Sequence, residues 1–148
     1  MKKIAFATCS KFPNLTEDDR SVIEHLRQHR IEVQPLVWDS DDQRAHDFES
    51  IVIRSCWDYH LNPRQFLRWI RRTQAQGIPL WNPASVVEWN LDKAYLRYLG
   101  ERGVSIPPTV WLEKKSEPNL SAILDEQGWE KAVVKPAVSA TAFQTWIT

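Results

Sequence analysis

The order of apolar and polar residues in the first part of the chain predicts four short strands. Each is an apolar run that ends in polar or turn-forming residues, which is typical of strands buried in a sheet. The four segments are Lys3–Thr8, Glu32–Trp38, Ser50–Ser55 and Pro79–Trp81. Pro35 has no amide hydrogen to donate to a neighbouring strand, so we expect the second strand at a sheet edge or at a bulge.

Two helices are predicted between these strands. Thr16, followed three residues later by Asp19, resembles a helix N-cap, and one apolar face follows it, formed by Val22, Ile23 and Leu26. Pro63 favours the start of a second helix that ends at Gly77. Its inward residues are Phe66, Leu67, Trp69 and Ile70. This alternation predicts an α/β domain over residues 1–85, with an open, mostly parallel, Rossmann-like sheet.

Residues 86–148 have a different pattern, which predicts a smaller second domain of α+β type. Two helices and three strands are expected, at Asn90–Arg102, Leu120–Gln127, Thr109–Leu112, Lys131–Pro136 and Phe143–Ile147. The last strand finishes on Trp146 and Ile147 without a polar tail. Because an exposed apolar strand invites pairing, we expect its open edge to need a partner.

Composition excludes several classes of protein. Of the 148 residues, 43% are hydrophobic and 26% are charged, which excludes a disordered chain, and no apolar run is long enough to cross a membrane. Lys plus Arg total 19, as do Asp plus Glu, and this balance argues against nucleic-acid binding. Two side-chain clusters are therefore expected to be solvated, the basic Arg64, Arg68, Arg71 and Arg72 and the acidic Asp39–Asp42 with Asp47.

The two cysteines suggest a reducing environment. Cys9 and Cys56 are too few for a disulfide framework or a zinc site, and the N-terminus lacks a signal-peptide core. We therefore expect free thiols and a cytoplasmic location. No Gly-x-Gly-x-x-Gly motif is present, which argues against a dinucleotide site.

Polar and aromatic residues gather at the predicted carboxyl end of the third strand, where open α/β sheets bind ligands. The candidates are Arg54, Trp57, Asp58 and Tyr59. Two interpretations stay open. Arg54 pairs with a substrate carboxylate and Asp58 with an amine, or the segment is a structural turn that Asp58 caps and in which Trp57 packs.

Two lysines are candidates for binding an anion. Lys135 ends an apolar strand, and Lys93 lies in the first turn of a predicted helix. Each lysine alone is typical of a solvated surface. A cation near the positive end of a helix is unfavourable, however, which suggests that an anion accompanies Lys93.

The order of these motifs resembles the ATP-grasp superfamily, and nearly the whole chain resembles the branch that includes glutathione synthetase and the cyclo-ligase of cycloserine biosynthesis. The motifs are Val52–Tyr59, Trp81–Pro83, Trp89–Lys93, Gly103–Thr109, Val133–Pro136 and Lys135–Ala140. The resemblance implies ATP-dependent ligation of a carboxylate to an amine through an acyl phosphate. Lys93 and Lys135 would bind the ATP phosphates, and the loop with Ser139 and Thr141 would cover them.

The resemblance also implies what this chain lacks. The magnesium ligands, the adenine-binding hinge and a catalytic arginine of the superfamily would lie beyond Thr148, and relatives tend to have glycine in the phosphate loop. We therefore expect residues 86–148 to be an incomplete ATP-grasp subdomain, inactive by itself. The partners implied are ATP and a small carboxylate or amino-acid-like substrate. An alternative is a non-catalytic binding or assembly module, whose open sheet edge is completed by another chain or a second copy.

Overall fold

The computed structural model describes residues 1–40 and 44–148, which form two compact units, Met1–Leu91 and Asp92–Thr148. The division into domains at residues 85 and 86 stays a prediction. Among the residues described, no helix combines the length and the apolar composition that spanning a membrane requires. Of the acidic stretch Asp39–Asp42, the residues Asp41 and Asp42 lie outside the described part.

A four-stranded parallel sheet forms the centre of the first unit, in the order β2-β1-β3-β4. The strands are β1 (Lys2–Thr8), β2 (Ile31–Val37), β3 (Ser50–Ser55) and β4 (Leu80–Trp81). The predicted parallel α/β sheet is confirmed. Pro35 lies in β2, which is an edge strand, as its missing amide hydrogen requires.

Among the residues described in the first unit, three α-helices accompany the sheet, α1 (Glu17–Gln28), α2 (Pro63–Ala75) and α3 (Ala84–Asn90). The core contains the central strands and one face of α2, with Ala5, Ile51 and Ile70 completely buried. Phe66 of α2 meets the indole of Trp38 edge to face, with ring centroids 5.1 Å apart. This aromatic packing fixes α2 near the carboxyl ends of the strands.

Helix α1 begins with a capping box, which confirms the predicted N-cap. The Thr16 side chain accepts a hydrogen bond from the Asp19 amide, and the Asp19 side chain accepts one from the Thr16 amide. The predicted apolar face is wrong at Val22, whose exposed fraction is 40%. The buried member of this helix is instead the charged residue Asp19.

The predicted helix Asn90–Arg102 is wrong, because the chain forms α3 and then a separate helix α4 (Tyr95–Glu101). Oδ1 of Asp92 accepts a hydrogen bond from the Ala94 amide at 2.9 Å, which favours a turn over a continuous helix. Lys93 therefore lies in a turn ahead of α4, not in the first turn of a helix. Helix α5 (Leu120–Gln127) has the predicted bounds.

The strands of the second unit are shorter than predicted. Only β5 (Val133–Val134) and β6 (Trp146–Ile147) form, as one antiparallel pair. Pro136 cannot continue the ladder, and Phe143 lies in a turn. Thr109–Leu112 is not a strand, because none of the residues described forms a ladder with it.

Candidate functional site

A buried carboxylate, Asp19, lies against the end of β3. It is only 1% exposed and accepts hydrogen bonds from Ser55 Oγ at 2.7 Å and Thr16 Oγ1 at 2.9 Å. Burial alone would raise the pKa of Asp19. The hydrogen bonds from Ser55, Thr16 and Arg54 outweigh burial and leave the pKa below its ordinary value. Asp19 is therefore a stable anion inside the first unit.

Arg54 at the end of β3 is the ionic partner of Asp19. Its Nε donates to Asp19 Oδ1 at 2.8 Å, and its guanidinium lies over the ring of Phe6, 5.7 Å from the centroid. The Arg54 side chain nevertheless stays 39% exposed. Its Nη groups make no hydrogen bond to the residues described, so this edge of the guanidinium remains available to a ligand.

Asp58, unlike Arg54, Trp57 and Tyr59, does not line the cleft that opens beside Arg54 in the first unit. Asp58 Oδ1 accepts a hydrogen bond from the indole nitrogen of Trp38 at 2.9 Å, and its side chain does not cap the turn that follows. Trp57 is 42% exposed and meets Phe12 edge to face, at a centroid distance of 5.3 Å. A contact with a substrate amine stays a prediction for Asp58.

A cleft of about 210 Å³ opens beside Arg54 in the first unit. Trp57, Tyr59 and Phe66 supply aromatic walls, and the ring centroids of the last two are 5.5 Å apart. The remaining lining residues come from β3, from α3 and from the segments that follow β3, β4 and α3: Ile53, Cys56, Asn82, Val86, Val87, Asn90 and Leu91. The cleft thus combines one arginine and two amides with apolar walls, and this combination suits a small polar ligand.

Asn82 is fixed at the rim of this cleft by its backbone and its side chain. Its φ of 70° lies in the left-handed region, where asparagine is the most tolerated residue after glycine. With its amide in the orientation that satisfies the neighbouring carbonyls, its Nδ2 group donates to Trp81 O at 2.7 Å and to Ile53 O at 3.2 Å. Asn82 therefore joins the ends of β3 and β4.

Lys93 and Ser139 form a second polar centre, in the second unit. The Lys93 ammonium donates to the Ser139 carbonyl at 2.8 Å and to Ser139 Oγ at 2.9 Å, and the Lys93 amide donates to the Ala137 carbonyl at 2.9 Å. Burial lowers the pKa of Lys93, the charge of Lys135 lowers it further, and Asp92 opposes the shift. The charge of Lys135 is therefore near enough to act on Lys93, and an anion bound at Lys93 would reduce this repulsion.

Lys135 and Thr141 are exposed, unlike Ser139, which is buried. Three residues of the loop that contains Thr141 have positive φ angles, namely 50° at Thr141, 56° at Ala142 and 46° at Gln144. Glycine adopts this conformation at the least cost, and none is present here. The loop thus holds a backbone shape suited to glycine without having glycine.

Both thiols are buried and free. Burial raises the pKa of Cys9, with a further contribution from Asp58, and burial also raises the pKa of Cys56 strongly. Raised thiol pKa values disfavour a nucleophilic thiolate. The residues described contain no group of three or more His, Cys, Asp or Glu placed to hold a metal ion.

Sequence reasoning missed three residues of these centres. The spacing of Thr16 and Asp19 predicts only a helix cap, although a carboxylate can serve a cap and an arginine together. Asn82 and Asn90 lie in the motifs Trp81–Pro83 and Trp89–Lys93, whose pattern alone assigns neither residue a role. The Asn-Pro pair at residues 82–83 is a turn signal that could have placed Asn82 at a strand end.

Comparisons with known proteins agree with this architecture. The family model of the D-cycloserine synthetase DcsG N-terminal domain matches residues 4–82, more than half of the chain. The cycloserine biosynthesis protein DcsG of Streptomyces lavendulae is 30% identical over 104 residues, which are 70% of this chain and 34% of that protein. The chain spans about half the length of the solved DcsG structure, with 98% of its own length covered, 24% identity and a TM-score of 0.85.

Two other solved structures share the fold at lower identity. A RimK-domain ATP-grasp protein of Sphaerobacter thermophilus matches 98% of this chain and 54% of its own length, at 18% identity and a TM-score of 0.69. The D-alanine–D-alanine ligase of Bacillus anthracis matches 100% and 49%, at 17% identity and a TM-score of 0.67. The chain therefore belongs to the DcsG N-terminal domain family and has the fold of part of an ATP-grasp ligase.

Proposed function

We propose that this chain is the N-terminal part of an ATP-dependent carboxylate–amine ligase that works through an acyl phosphate. The observation that carries the proposal is the partly desolvated ammonium of Lys93, which donates to the buried Ser139 and is repelled by the charge of Lys135. Lys93 is partly desolvated and has a cationic neighbour, an arrangement that costs free energy until an anion binds. A nucleotide triphosphate supplies that anion.

The lysines would act by neutralising and positioning phosphate oxygens. Phosphoryl transfer depends mainly on positioning and on stabilising charge, so fixed cations suit it. Ser139 holds the Lys93 ammonium in place, and Thr141 lies in the neighbouring loop that we propose covers the phosphates. Magnesium would arrive bound to the nucleotide, since Mg²⁺ commonly takes phosphate oxygens as ligands.

The cleft of the first unit is the proposed substrate site. Arg54 presents a guanidinium edge to a carboxylate, while Trp57 and Tyr59 provide walls of a size that suits a small amino-acid-like molecule. D-cycloserine synthetase and D-alanine–D-alanine ligase, two of the related structures, are named for small amino-acid-like molecules, which fits that substrate class. The free, buried Cys9 and Cys56 support a reducing, cytoplasmic location.

The test is calorimetric titration of the chain with ATP and magnesium. We expect binding in the wild type and a loss of about tenfold in affinity for Lys135→Ala, because one charge-assisted contact disappears. Lys131→Ala is the matched control, since it removes an exposed lysine from the same segment. Equal affinity in wild type and Lys135→Ala would contradict the proposed phosphate site.

A second candidate is a non-catalytic assembly module, favoured by the exposure of β6. Trp146 and Ile147 are 52% and 70% exposed in a strand whose described partner is β5 alone. Light scattering on the calorimetry samples separates the two candidates. Dimers that dissociate in Ile147→Lys, together with no ATP binding, would support the assembly module in place of the ligase.

A further inference from the structure

We infer that Asp19 is a positioning residue, which fixes the guanidinium of Arg54 so that its outer edge binds the carboxylate of a small amino-acid-like ligand in the cleft. This inference rests on the proposed function, which supplies the class of ligand. It goes further by assigning the orientation of that ligand and the residue that controls it. The contacts of both side chains carry the argument.

The burial of Asp19 is more than a helix cap requires. Acidic residues in the first turn of a helix interact favourably with its dipole while they stay exposed, as Glu17 and Asp18 do here. Asp19 is instead 1% exposed, and it accepts from Arg54 Nε and Ser55 Oγ as well as from Thr16. A buried carboxylate with these additional donors indicates a role at β3, beyond the start of α1.

Arg54 is restrained on two sides. Asp19 takes the Nε hydrogen at 2.8 Å, and the ring of Phe6 lies against the guanidinium at 5.7 Å. The guanidinium is planar, so holding Nε and one face sets the direction of both Nη groups. Those groups belong to a side chain that lines the cleft, where a carboxylate can accept two parallel hydrogen bonds.

The other lining residues define the opposite end of the ligand. Asn82 and Asn90 bring amide groups to the same cleft, while Trp57 and Tyr59 provide apolar area. A ligand whose carboxylate meets Arg54 would therefore place its amine towards an amide oxygen and its side chain against the aromatic rings. The cleft of about 210 Å³ suits a ligand of amino-acid size.

The experiment is NMR titration of the ¹⁵N-labelled full chain with alanine, and with alaninamide as the probe that lacks a carboxylate. The Trp57 indole signal, assigned with Trp57→Phe, reports on the cleft. We expect alanine to shift this signal and alaninamide to leave it in place. We expect Asp19→Asn to weaken alanine binding about tenfold, while the control Asp18→Asn binds as the wild type does.

A double-mutant cycle separates positioning from folding. If Asp19 acts through Arg54, Asp19→Asn should have little further effect on affinity in an Arg54→Lys background. The inference would be overturned if Asp19→Asn weakened alanine binding as much in the Arg54→Lys background as in the wild type. It would also be overturned if Asp19→Asn alone bound alanine with wild-type affinity. Should Asp19→Asn fail to fold, Ser55→Ala replaces it, because this change removes one donor to Asp19 and keeps the ion pair. Ser55→Ala should then weaken alanine binding about threefold, and unchanged affinity overturns the inference.

These outcomes are distinguishable from failure of the proposed function. Alanine binding that is insensitive to Asp19 overturns the positioning role and leaves the substrate cleft standing. ATP binding without any carboxylate-dependent shift of Trp57 overturns both the positioning role and the cleft assignment, while the phosphate site at Lys93 remains.

Discussion

At the scale of single residues, the side chain of Asp19 links a helix and a strand of the first unit. Its carboxylate completes the capping box of α1, and it also holds the last two residues of β3 through Arg54 and Ser55. The carboxylate is buried although Arg54 is partly exposed, so removing its charge weakens the hydrogen bonds that Ser55, Thr16 and Arg54 donate to it. Asp19 therefore ties the start of a helix to the end of a strand, and its ionisation contributes to the stability of the fold.

This ionisation predicts a specific pH dependence of stability. The folded-state pKa of Asp19 lies below its ordinary value of 3.8, so folding favours the carboxylate. Its contribution is therefore complete above the unfolded pKa and is lost as pH falls through the folded pKa. We expect Asp19→Asn to lower the free energy of unfolding by about 2 kcal/mol at pH 7, and the difference from wild type to shrink at acid pH.

Urea unfolding between pH 7 and pH 3 measures this difference. Asp18→Asn is the control, because Asp18 occupies the same helical turn and is exposed. A difference between Asp19→Asn and wild type that stays constant down to pH 3 would contradict the assigned role of the carboxylate.

At the scale of elements, the loop that contains Ser139 and Thr141 has a backbone conformation that glycine would adopt more easily. Ala142 has a φ of 56°, in the region where an L side chain costs about 1 kcal/mol. We expect Ala142→Gly to stabilise the chain by about 0.5 kcal/mol, because relief of the left-handed strain exceeds the entropy that glycine adds to the unfolded chain.

Ala140→Gly is the matched control, since Ala140 lies in the same loop and outside the left-handed region. There glycine should destabilise the chain, because only the entropic cost applies. Urea unfolding of the two variants beside wild type gives the comparison. Destabilisation by Ala142→Gly as large as that by Ala140→Gly would show that the loop is not strained at this position.

The elements of the first unit were predictable, while those of the second were predicted less well. Strand β3 has the predicted bounds, because an apolar run with two neighbouring strands leaves little choice of structure. The predicted strand Lys131–Pro136 shrinks to Val133–Val134, since its length depends on partners elsewhere in the chain. Strand pairing is a non-local property, which local periodicity does not encode.

The same distinction applies to the candidate sites. Arg54 and Lys93 could be proposed from their positions at a strand end and beside a helix. The hydrogen bond from the Trp38 indole to Asp58 could not be predicted, because the two residues are 20 positions apart and meet only in the folded protein. Side-chain partners of this kind follow from tertiary packing, not from spacing.

At the scale of the whole molecule, burial is unequally divided between the two units. Among the residues described, every buried apolar side chain lies within residues 1–91, and the buried member of the second unit is the polar Ser139. Since apolar burial is the main favourable term in folding, the first unit has its own source of stability. The second unit has little of its own, which agrees with its short strands.

This division predicts that residues 1–91 fold when expressed alone and that residues 92–148 do not. The parallel sheet, the Asp19–Arg54 pair and the cleft all lie within the first fragment, so their contacts survive the cut. Circular dichroism and amide chemical-shift dispersion should show a folded fragment 1–91 with cooperative urea unfolding. A fragment ending at residue 79 is the control, because it lacks β4 and α3 and should be less stable. A disordered fragment 1–91, or a cooperatively folded fragment 92–148, would show that the stability of the chain is shared between the units.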